Sequence, residues 1–438
     1  MIKVAKFGGS SVADAEQFKK IKKIVKADNS RKFIVVSAVG KANKNDIKVT
    51  DLLYVLYSHV KYGVDYEPIL KTIENKYYSI RNELKLNTDL ESEFKTIRSK
   101  LNKQSDVDYI VSRGEYLTAI LMADYLKGDF LDAQDCIFFD YRNNFQYSHI
   151  EESLKRYIKS KNVVIIPGFY GSLPNGKIKV MSRGGSDITG AVIANVVNAD
   201  VYENWTDVSG ILIADPRIVD NPKSVNEITY NELREMSYMG ASVLHDEAIF
   251  PVKEKSIPLN IKNTNKPLDP GTMILKECKD TGNKNQSISG ITGKRNFSVI
   301  SLSKSHISSE IGILRSVLEI VAKYNLSVES VPNGIDSLSL VIESEKLKEC
   351  KYDLIADIKE QIKPDTIVSE DELALVAVVG RKLKNYKGFS GKLFGLLGKN
   401  DINIKLISQN ADEISIIFGV ANIDFNKTIN TIYKEFVK

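Results

Sequence analysis

Cysteine is scarce in this chain. Cys136, Cys278 and Cys350 are odd in number and far apart, which argues against a disulfide framework and a zinc cluster and fits a reducing cytoplasm. Histidine is nearly as rare. His245 has no second His or Cys near it, so it reads as a hydrogen-bonded helix residue rather than an acid-base group. No apolar run approaches a membrane span, and the N-terminus enters a strand without the apolar core of a signal peptide. Neither sign of charge dominates. The 61 basic and 56 acidic residues are interspersed, which argues against a nucleic-acid footprint and still permits a basic pocket for a small anion. A hydrophobic content of 43% over 438 residues is that of a soluble globular enzyme with two or three domains.

What is present begins at once. Ile2 to Phe7 reads as a short buried strand, Gly8-Gly9 break it, and Ser10-Ser11 stand where a cap belongs for the helix predicted over Asp14 to Lys26 by Phe18, Ile21, Ile24 and Val25. The glycines let a ligand approach the backbone, first-turn N–H groups point at it, and Lys6 adds a mobile positive charge, which suits a nucleotide phosphate. Taken alone, Gly-Gly before a helix is more often a tight turn. The stretch is neither a Walker loop nor GxGxxG.

Strands and helices alternate from there. Lys32 to Ala38 is a continuous apolar strand of the parallel-sheet type, followed by a polar loop from Gly40 to Thr50. From Thr50 to about Lys103 the pattern is helical and charged, with apolar stripes at Leu52, Leu53, Val55 and Leu56 and at Ile69, Ile73, Tyr77 and Ile80; its charges read as a solvated face. Tyr109 to Glu115 opens a further helix, and its Arg113-Gly114-Glu115 offers either two partners for an amino acid or a surface ion pair. Ser182-Arg183-Gly184-Gly185-Ser186-Asp187, before a small-residue helix, repeats the logic of the first loop with a guanidinium able to fork a carboxylate or phosphate. The strand from Val201 delivers Thr206 and Asp207 at its C-terminal end, where open α/β sheets bind ligands. There Asp207 suits a lysine or a metal, or is a turn residue, and Arg217 in Asp215-Pro216-Arg217 suits a phosphate. A short helix from Val243 to Pro251, a strand from Ile257 to Ile261 and a polar linker from Asp280 to Asn285 complete this part.

Beyond the linker one pattern occurs twice. Strand Phe297 to Leu302, helix Ile311 to Tyr324, strands Leu326 to Val331 and Ser337 to Glu343 and helix Leu347 to Ile362 are followed by strand Leu373 to Val379, helix Phe389 to Lys399, strands Ile402 to Ser408 and Glu413 to Val420 and helix Phe425 to Phe436. This is a duplicated βαββα unit with open sheet edges, suited to sensing or dimerisation.

In their order, Lys-Phe-Gly-Gly-Ser-Ser-Val, Arg-Gly-Glu, Arg-Gly-Gly-Ser-Asp, Thr-Asp-Val-Ser-Gly-Ile and Asp-Pro-Arg, then the text at Gly388 to Gly391, Ile402 to Ile404 and Ser408-Gln409, resemble aspartate kinase of the amino acid kinase family with tandem ACT modules. The resemblance implies an αβα sandwich, an open and mostly parallel sheet, over residues 1–280, then two α+β ferredoxin-like ACT modules at 287–365 and 370–438, with strand 287–292 a possible part of the second. It implies phosphorylation of the L-aspartate side-chain carboxylate by MgATP. Lys6, Asp207 and Arg183 are the implied catalytic residues. Gly8, Gly9, Ser10, Thr206, Leu212, Arg217 and Ser242 join Lys6 and Asp207 on ATP. Ser37, Thr50, Glu115, Arg183, Gly184, Gly185, Ser186 and Asp187 hold aspartate, with Glu115 on its ammonium. No metal is bound directly; Mg comes with ATP, and Asp207 orders the cations. The ACT modules imply feedback by an end-product amino acid, lysine in preference to threonine, at Ile307, Gly312, Ile313, Leu314, Glu329 and Asp336, and a homodimer or dimer of dimers.

The chain departs from the family pattern in three places. Ser242 stands where relatives carry a lysine, with Lys253, Lys255 and Lys262 as candidates to replace it; Leu212 replaces an aromatic nucleotide contact; and Gly334-Ile335-Asp336 replaces a Ser-Glu pair. The rival readings are a kinase of glutamate or acetylglutamate, which the tandem ACT modules disfavour, and a silent amino-acid sensor, which the retained Lys6, Arg183, Asp187 and Asp207 disfavour. No GxGxxG follows the second module, so no dehydrogenase half is expected.

Overall fold

The structure is a computed structural model, and it describes residues 1–182, 184–241, 248–278, 288–409, 412 and 414–437. The chain divides into two compact units that do not follow its linear order. Unit 1 is Met1–Ile211, Ser224–Tyr230 and the described residues of 242–279; unit 2 is Leu212–Lys223, Asn231–Ala241 and the described residues from 288 onward. A boundary at residue 280 therefore assigns two segments differently from the packing. Ile291 N donates to Ile213 O (2.6 Å), Asn430 Nδ2 to Ile218 O (2.9 Å) and Lys223 N to the Tyr433 hydroxyl (2.8 Å), which fastens 212–223 to the rest of unit 2.

Among the described residues unit 1 is built on ten strands: β1 Lys3–Phe7, β2 Arg31–Val36, β3 Asp129–Phe130, β4 Val164–Pro167, β5 Tyr170–Ser172, β6 Ile178–Val180, β7 Val201–Thr206, β8 Glu227–Thr229, β9 Leu259–Asn263 and β10 Thr272–Leu275. All but the β5–β6 hairpin form one sheet in the order β3-β4-β2-β1-β7-β9-β10-β8, parallel except where β10 meets β9. Val4, Ala5, Phe7, Phe33, Ile34, Val35 and Val36 are fully buried, as continuous apolar runs in a two-faced parallel sheet must be. Helix α1 (Ala15–Lys26) follows β1, and the charged excursion is three helices, α2 (Val49–Tyr62), α3 (Glu67–Leu84) and α4 (Leu90–Ser99). Then come α5 (Val107–Leu126), α6 (Tyr147–Ile158) and α7 (Gly185–Val196). The cap of α1 is not Ser10-Ser11. Gly9–Val12 form a 3-10 turn, and Asp14 caps the helix through the Gln17 amide (2.8 Å), so a turn separates the glycine loop from the helix.

Helix α8 (Tyr230–Tyr238) belongs from Asn231 onward to unit 2, and α9 (Ile249–Glu254) to unit 1. The other half of the expected helix from Val243, with His245, lies outside the described residues.

In unit 2, β11 (Gly290–Ser303), β12 (Ser337–Glu343), β13 (Thr366–Val379), β14 (Leu406–Gln409) and β15 (Ser415–Ala421) form one antiparallel sheet in the order β12-β11-β13-β15-β14. β11 is a single long strand rather than two. Its Gly290–Lys294 half pairs with Val379–Leu375, its Phe297–Ser303 half with both β12 and the start of β13, and register shifts separate the halves. The repeat is visible in the backbone: a 3-10 turn at Ile307–Ser309 and Gly312 at φ 84° precede α10 (Ile313–Lys323), after which come the short α11 (Ser344–Leu347) and α12 (Lys351–Ile362). A 3-10 turn at Leu383–Asn385 and Gly388 at φ 82° likewise precede α13 (Phe389–Lys399), and α14 (Phe425–Phe436) ends the unit. Leu326 to Val331 does not form the expected strand. It meets the free edge of β12 only at its end, where Glu329 N donates to Val341 O (2.8 Å) and Val341 N to Ser330 O (3.0 Å), and Pro332, which has no N–H to give, interrupts a longer ladder.

Candidate active site

Parallel register sets the centre of the site. Lys6 on β1 stands beside Asn204 on β7, so both side chains leave the same face of the sheet. Above them Gly184, whose φ of 81° favours glycine, is the N-cap of α7, and the first turn of that helix carries Asp187. The buried Lys6 ammonium lies 2.5 Å from Asp187 Oδ1, Asn204 Nδ2 donates to that same oxygen (2.9 Å), and the Tyr202 hydroxyl donates to the Asp187 carbonyl (2.9 Å). Asp187 fixes the ammonium in place. An ammonium has three donors, so this pair leaves Lys6 able to meet an anion as well.

The glycine loop crosses this point. Gly8 N donates to Trp205 O (3.0 Å), and Gly40 N to Gly9 O (3.1 Å). The backbones at Gly9 and Gly40 are so close that a Cβ on Gly40 would lie 2.5 Å from the Gly9 carbonyl, so Gly40 tolerates no side chain, and one on Gly9 would crowd the Ala38 carbonyl at 3.3 Å. Ser11 Oγ and Thr264 Oγ1 bond at 2.8 Å behind the loop, and Ser10 is half-buried in it. At the end of β7 the Thr206 hydroxyl donates to the exposed Asp207 (3.1 Å).

Glu115 gives the site its second charge. It is 4% exposed on α5, and its Oε2 has no hydrogen-bond partner. Burial pushes its carboxyl up to about 8 against the lowering pull of the Ala38 amide, the Lys6 ammonium and the Arg113 guanidinium. A buried carboxylate with an empty oxygen is costly unless a cation fills it. Tyr77 donates to the carbonyl of the neighbouring Gly114 (2.7 Å). Arg113 is no partner for an amino acid beside Glu115. Residues two apart lie on different faces of a helix, and this guanidinium is buried over the Tyr109, Tyr116 and Tyr170 rings at 4.8, 4.4 and 5.6 Å, donating to Ser112.

The sequence profile of the amino acid kinase family matches residues 1–263, and that of an ACT domain residues 376–436. Aspartokinase 3 of Bacillus subtilis is 34% identical over 99% of this chain and 98% of its own. The chain belongs to the aspartokinases. Among solved structures, this aspartokinase is similar to the Clostridium acetobutylicum aspartate kinase, an allosteric enzyme, at 48% identity, a TM-score of 0.91 and 99% coverage of both chains. It is also similar to Escherichia coli aspartokinase III, at 25% identity and full coverage of both chains, in complex with aspartate and ADP (TM-score 0.78) and with lysine and aspartate (0.77).

Against the aspartokinase expectation, unit 1 brings together Lys6, Gly8, Gly9, Asp187 and Glu115, with Ser37 and Thr50 half-buried on the segments flanking the Gly40 loop. Arg183 and Ser242 lie outside the described residues. Leu212 and Arg217 belong to unit 2, where Arg217 pairs with its neighbour Asp215 (2.6 Å). Two of the lysines considered as substitutes are committed elsewhere: Lys255 donates to Asn195 O and Asn198 at the far end of α7, and Lys262 to Asp269 O beneath the Trp205 ring. Asn204 escaped the sequence reading. Its signal was the period of two along β7, which puts Tyr202, Asn204 and Thr206 on the Lys6 face.

Of the effector residues, Ile307 is buried in its 3-10 turn, Gly312 and Ile313 open α10, Leu314 is exposed, Glu329 accepts from Tyr238 (2.7 Å), and Asp336 accepts from the His306 amide (2.9 Å) beside that turn. Among the described residues no group of three or more His, Cys, Asp or Glu side chains is placed to hold a metal ion, and no helix is long and apolar enough to cross a membrane. A single exposed carboxylate such as Asp207 fits a Mg²⁺ that arrives on nucleotide phosphates.

Proposed function

We propose that unit 1 transfers the γ-phosphoryl group of ATP to the side-chain carboxylate of L-aspartate, giving 4-phospho-L-aspartate, at the site around Lys6 and Glu115. The observation that carries the residue assignment is the unpartnered, buried Glu115 oxygen beside a lysine held by Asp187. The substrate ammonium completes Glu115, and the half-buried Thr50 and Ser37, with the Gly184–Ser186 turn and Arg183, take its carboxylates. A carboxylate oxygen attacks the γ-phosphorus as the bond to the ADP oxygen breaks, so no general base is required. Lys6 and the backbone of Gly8, Gly9 and Ser10 meet the phosphate charge, and the rate comes from positioning and electrostatic stabilisation. Asp207, with Thr206 beside it, would hold the Mg²⁺ of the nucleotide, which neutralises phosphate charge; Arg217 and Leu212 are assigned to the nucleotide.

Unit 2 is assigned the feedback response, with lysine as effector, supported by the lysine complex of the Escherichia coli relative. Glu329 and Asp336 are assigned its ammonium. The exposed Ile311 and Leu314 on unit 2 support self-association through the ACT modules, as a dimer or dimer of dimers, and the scarcity of cysteine supports a cytoplasmic location. The test is ATP turnover with Mg²⁺ and L-aspartate, the acyl phosphate trapped as a hydroxamate, in the presence and absence of lysine or threonine. Hydroxamate from aspartate but not glutamate, abolished in Lys6→Ala, supports the assignment. Turnover that survives Lys6→Ala removes it.

A further inference from the structure

The charged excursion α2–α4 looks like a solvated face in the sequence, yet one of its lysines reaches the loop beside the site. The chain leaves β2, passes Ser37, and makes a polar loop closed at its base by Val49 N donating to Val39 O (3.0 Å), with Thr50 directly after it. Gly40 is fixed against Gly9, and at the tip Lys41, Lys44, Asn45 and Ile47 are exposed. Asp46 turns inward instead. Its Oδ2 accepts from the Ala42 amide (2.9 Å) and its Oδ1 from the Ile47 amide (2.8 Å) and from Lys76 Nζ on α3 (2.5 Å). Among the described residues no other side chain from outside 41–48 hydrogen-bonds or ion-pairs with that segment.

Both partners are mostly buried, with side-chain exposures of 17% for Lys76 and 19% for Asp46. An ion pair that also accepts two backbone amides orders the loop around it, which a solvated surface pair does not. The next residue of α3, Tyr77, holds the Gly114 carbonyl beside Glu115. Successive side chains of one helix thus brace both segments to which aspartate contacts are assigned.

We propose that Lys76 and Asp46 form a clamp that positions the Val39–Val49 loop, and with it Thr50, for the amino-acid substrate. Lys76 is a positioning residue, acting on the reaction through Asp46 and the loop. The proposal rests on the aspartate-site reading above. It separates the two substrates: opening the loop weakens aspartate binding, while Lys6, Gly8 and Gly9 still hold the nucleotide.

The experiment compares Lys76→Met, Asp46→Asn, the double variant and Lys76→Arg with the wild type. Either single change is expected to raise the KM for aspartate about 10-fold and to leave the KM for ATP and kcat within about 2-fold, and the double variant to add nothing because each single change removes the same tie. Lys76→Arg, which keeps a donor, is expected to restore most of the aspartate KM. A second readout needs no turnover: trypsin should cut at Lys41 or Lys44 faster in Lys76→Met than in the wild type. Unchanged aspartate KM in both single variants, an equal rise in the ATP KM, or unchanged tryptic cutting overturns the clamp. If the wild type makes no hydroxamate from aspartate, the functional reading fails, and the tryptic comparison alone decides the clamp.

Discussion

Glu203 and Glu115 are buried alike, 3% and 4% exposed, in the same unit, and the protein handles them in opposite ways. Glu203 accepts from Arg31 through Nε (2.7 Å) and Nη2 (3.2 Å) and from Trp205 Nε1 (2.9 Å), with Lys3 at 3.7 Å. Glu115 keeps one oxygen empty. Complete satisfaction marks a carboxylate that holds strands β1, β2 and β7 in place; an incomplete one marks a place kept for a ligand. The largest effect should therefore come from the satisfied residue, and in stability. Glu203→Gln strips the charge from beside a guanidinium only 11% exposed and is expected to cost about 3–5 kcal/mol in denaturant unfolding. A loss below about 1 kcal/mol would mean that the Arg31 pair contributes little.

Glu115→Gln should show the reverse pattern. Removing a charged partner of the substrate ammonium is expected to lower kcat/KM for aspartate about 100-fold, with folding stability equal to or above that of the wild type. Steady-state kinetics beside urea unfolding checks both halves. Destabilisation with normal kinetics would place Glu115 with Glu203 as a structural residue.

The same contrast has a pH signature. Burial raises the folded-state value of Glu115 from 4.5 to about 8, so the folded chain holds this proton more tightly than the unfolded chain. Its contribution to stability is fully present below pH 4.5 and is lost as the pH rises through about 8, at a slope of about 1.4 kcal/mol per unit between those limits. Unfolding measured between pH 5 and 9 should show this slope in the wild type and lose it in Glu115→Gln. Because the substrate ammonium needs the ionised carboxylate, the KM for aspartate should fall as the pH approaches 8. A KM flat over that range would count against the pairing.

How much of this could be read beforehand follows from the range of each interaction. Lys6, the two glycines and α1 are local, and apolar period with glycine punctuation reveals them. The choice of Asp14 over Ser10-Ser11 as cap was not legible, since both residue types cap well and the intervening 3-10 turn decides. Glu203 and Arg31 are 172 residues apart, and nothing local in either distinguishes the pair from surface charge. Asp187 was legible as a site residue but its partner Asn204 was not, because strand register is a tertiary fact. For the same reason the strand expected over Leu326 to Val331, well supported by local propensity, shrinks to a bridge at Ser330 on the free edge of β12.

Unit 2 repeats the comparison on a smaller scale, with two carboxylates three residues apart on α8. Glu232 is fully buried and accepts from Ser289 Oγ (2.6 Å) and the Arg381 amide (2.7 Å), whereas Glu235 is half-buried and accepts from Ser415 Oγ (2.8 Å). Ser289→Ala is expected to cost about 2 kcal/mol, since a buried carboxylate loses a donor that no solvent replaces. Ser415→Ala should cost less than about 1 kcal/mol although its hydrogen bond has ordinary length, because water can reach the half-buried Glu235 and take the place of the hydroxyl. Urea midpoints of the two variants decide it. Equal costs would show that the exposure of the acceptor does not set the value of its hydrogen bond, and the large loss expected for Glu203→Gln would then need a cause other than burial.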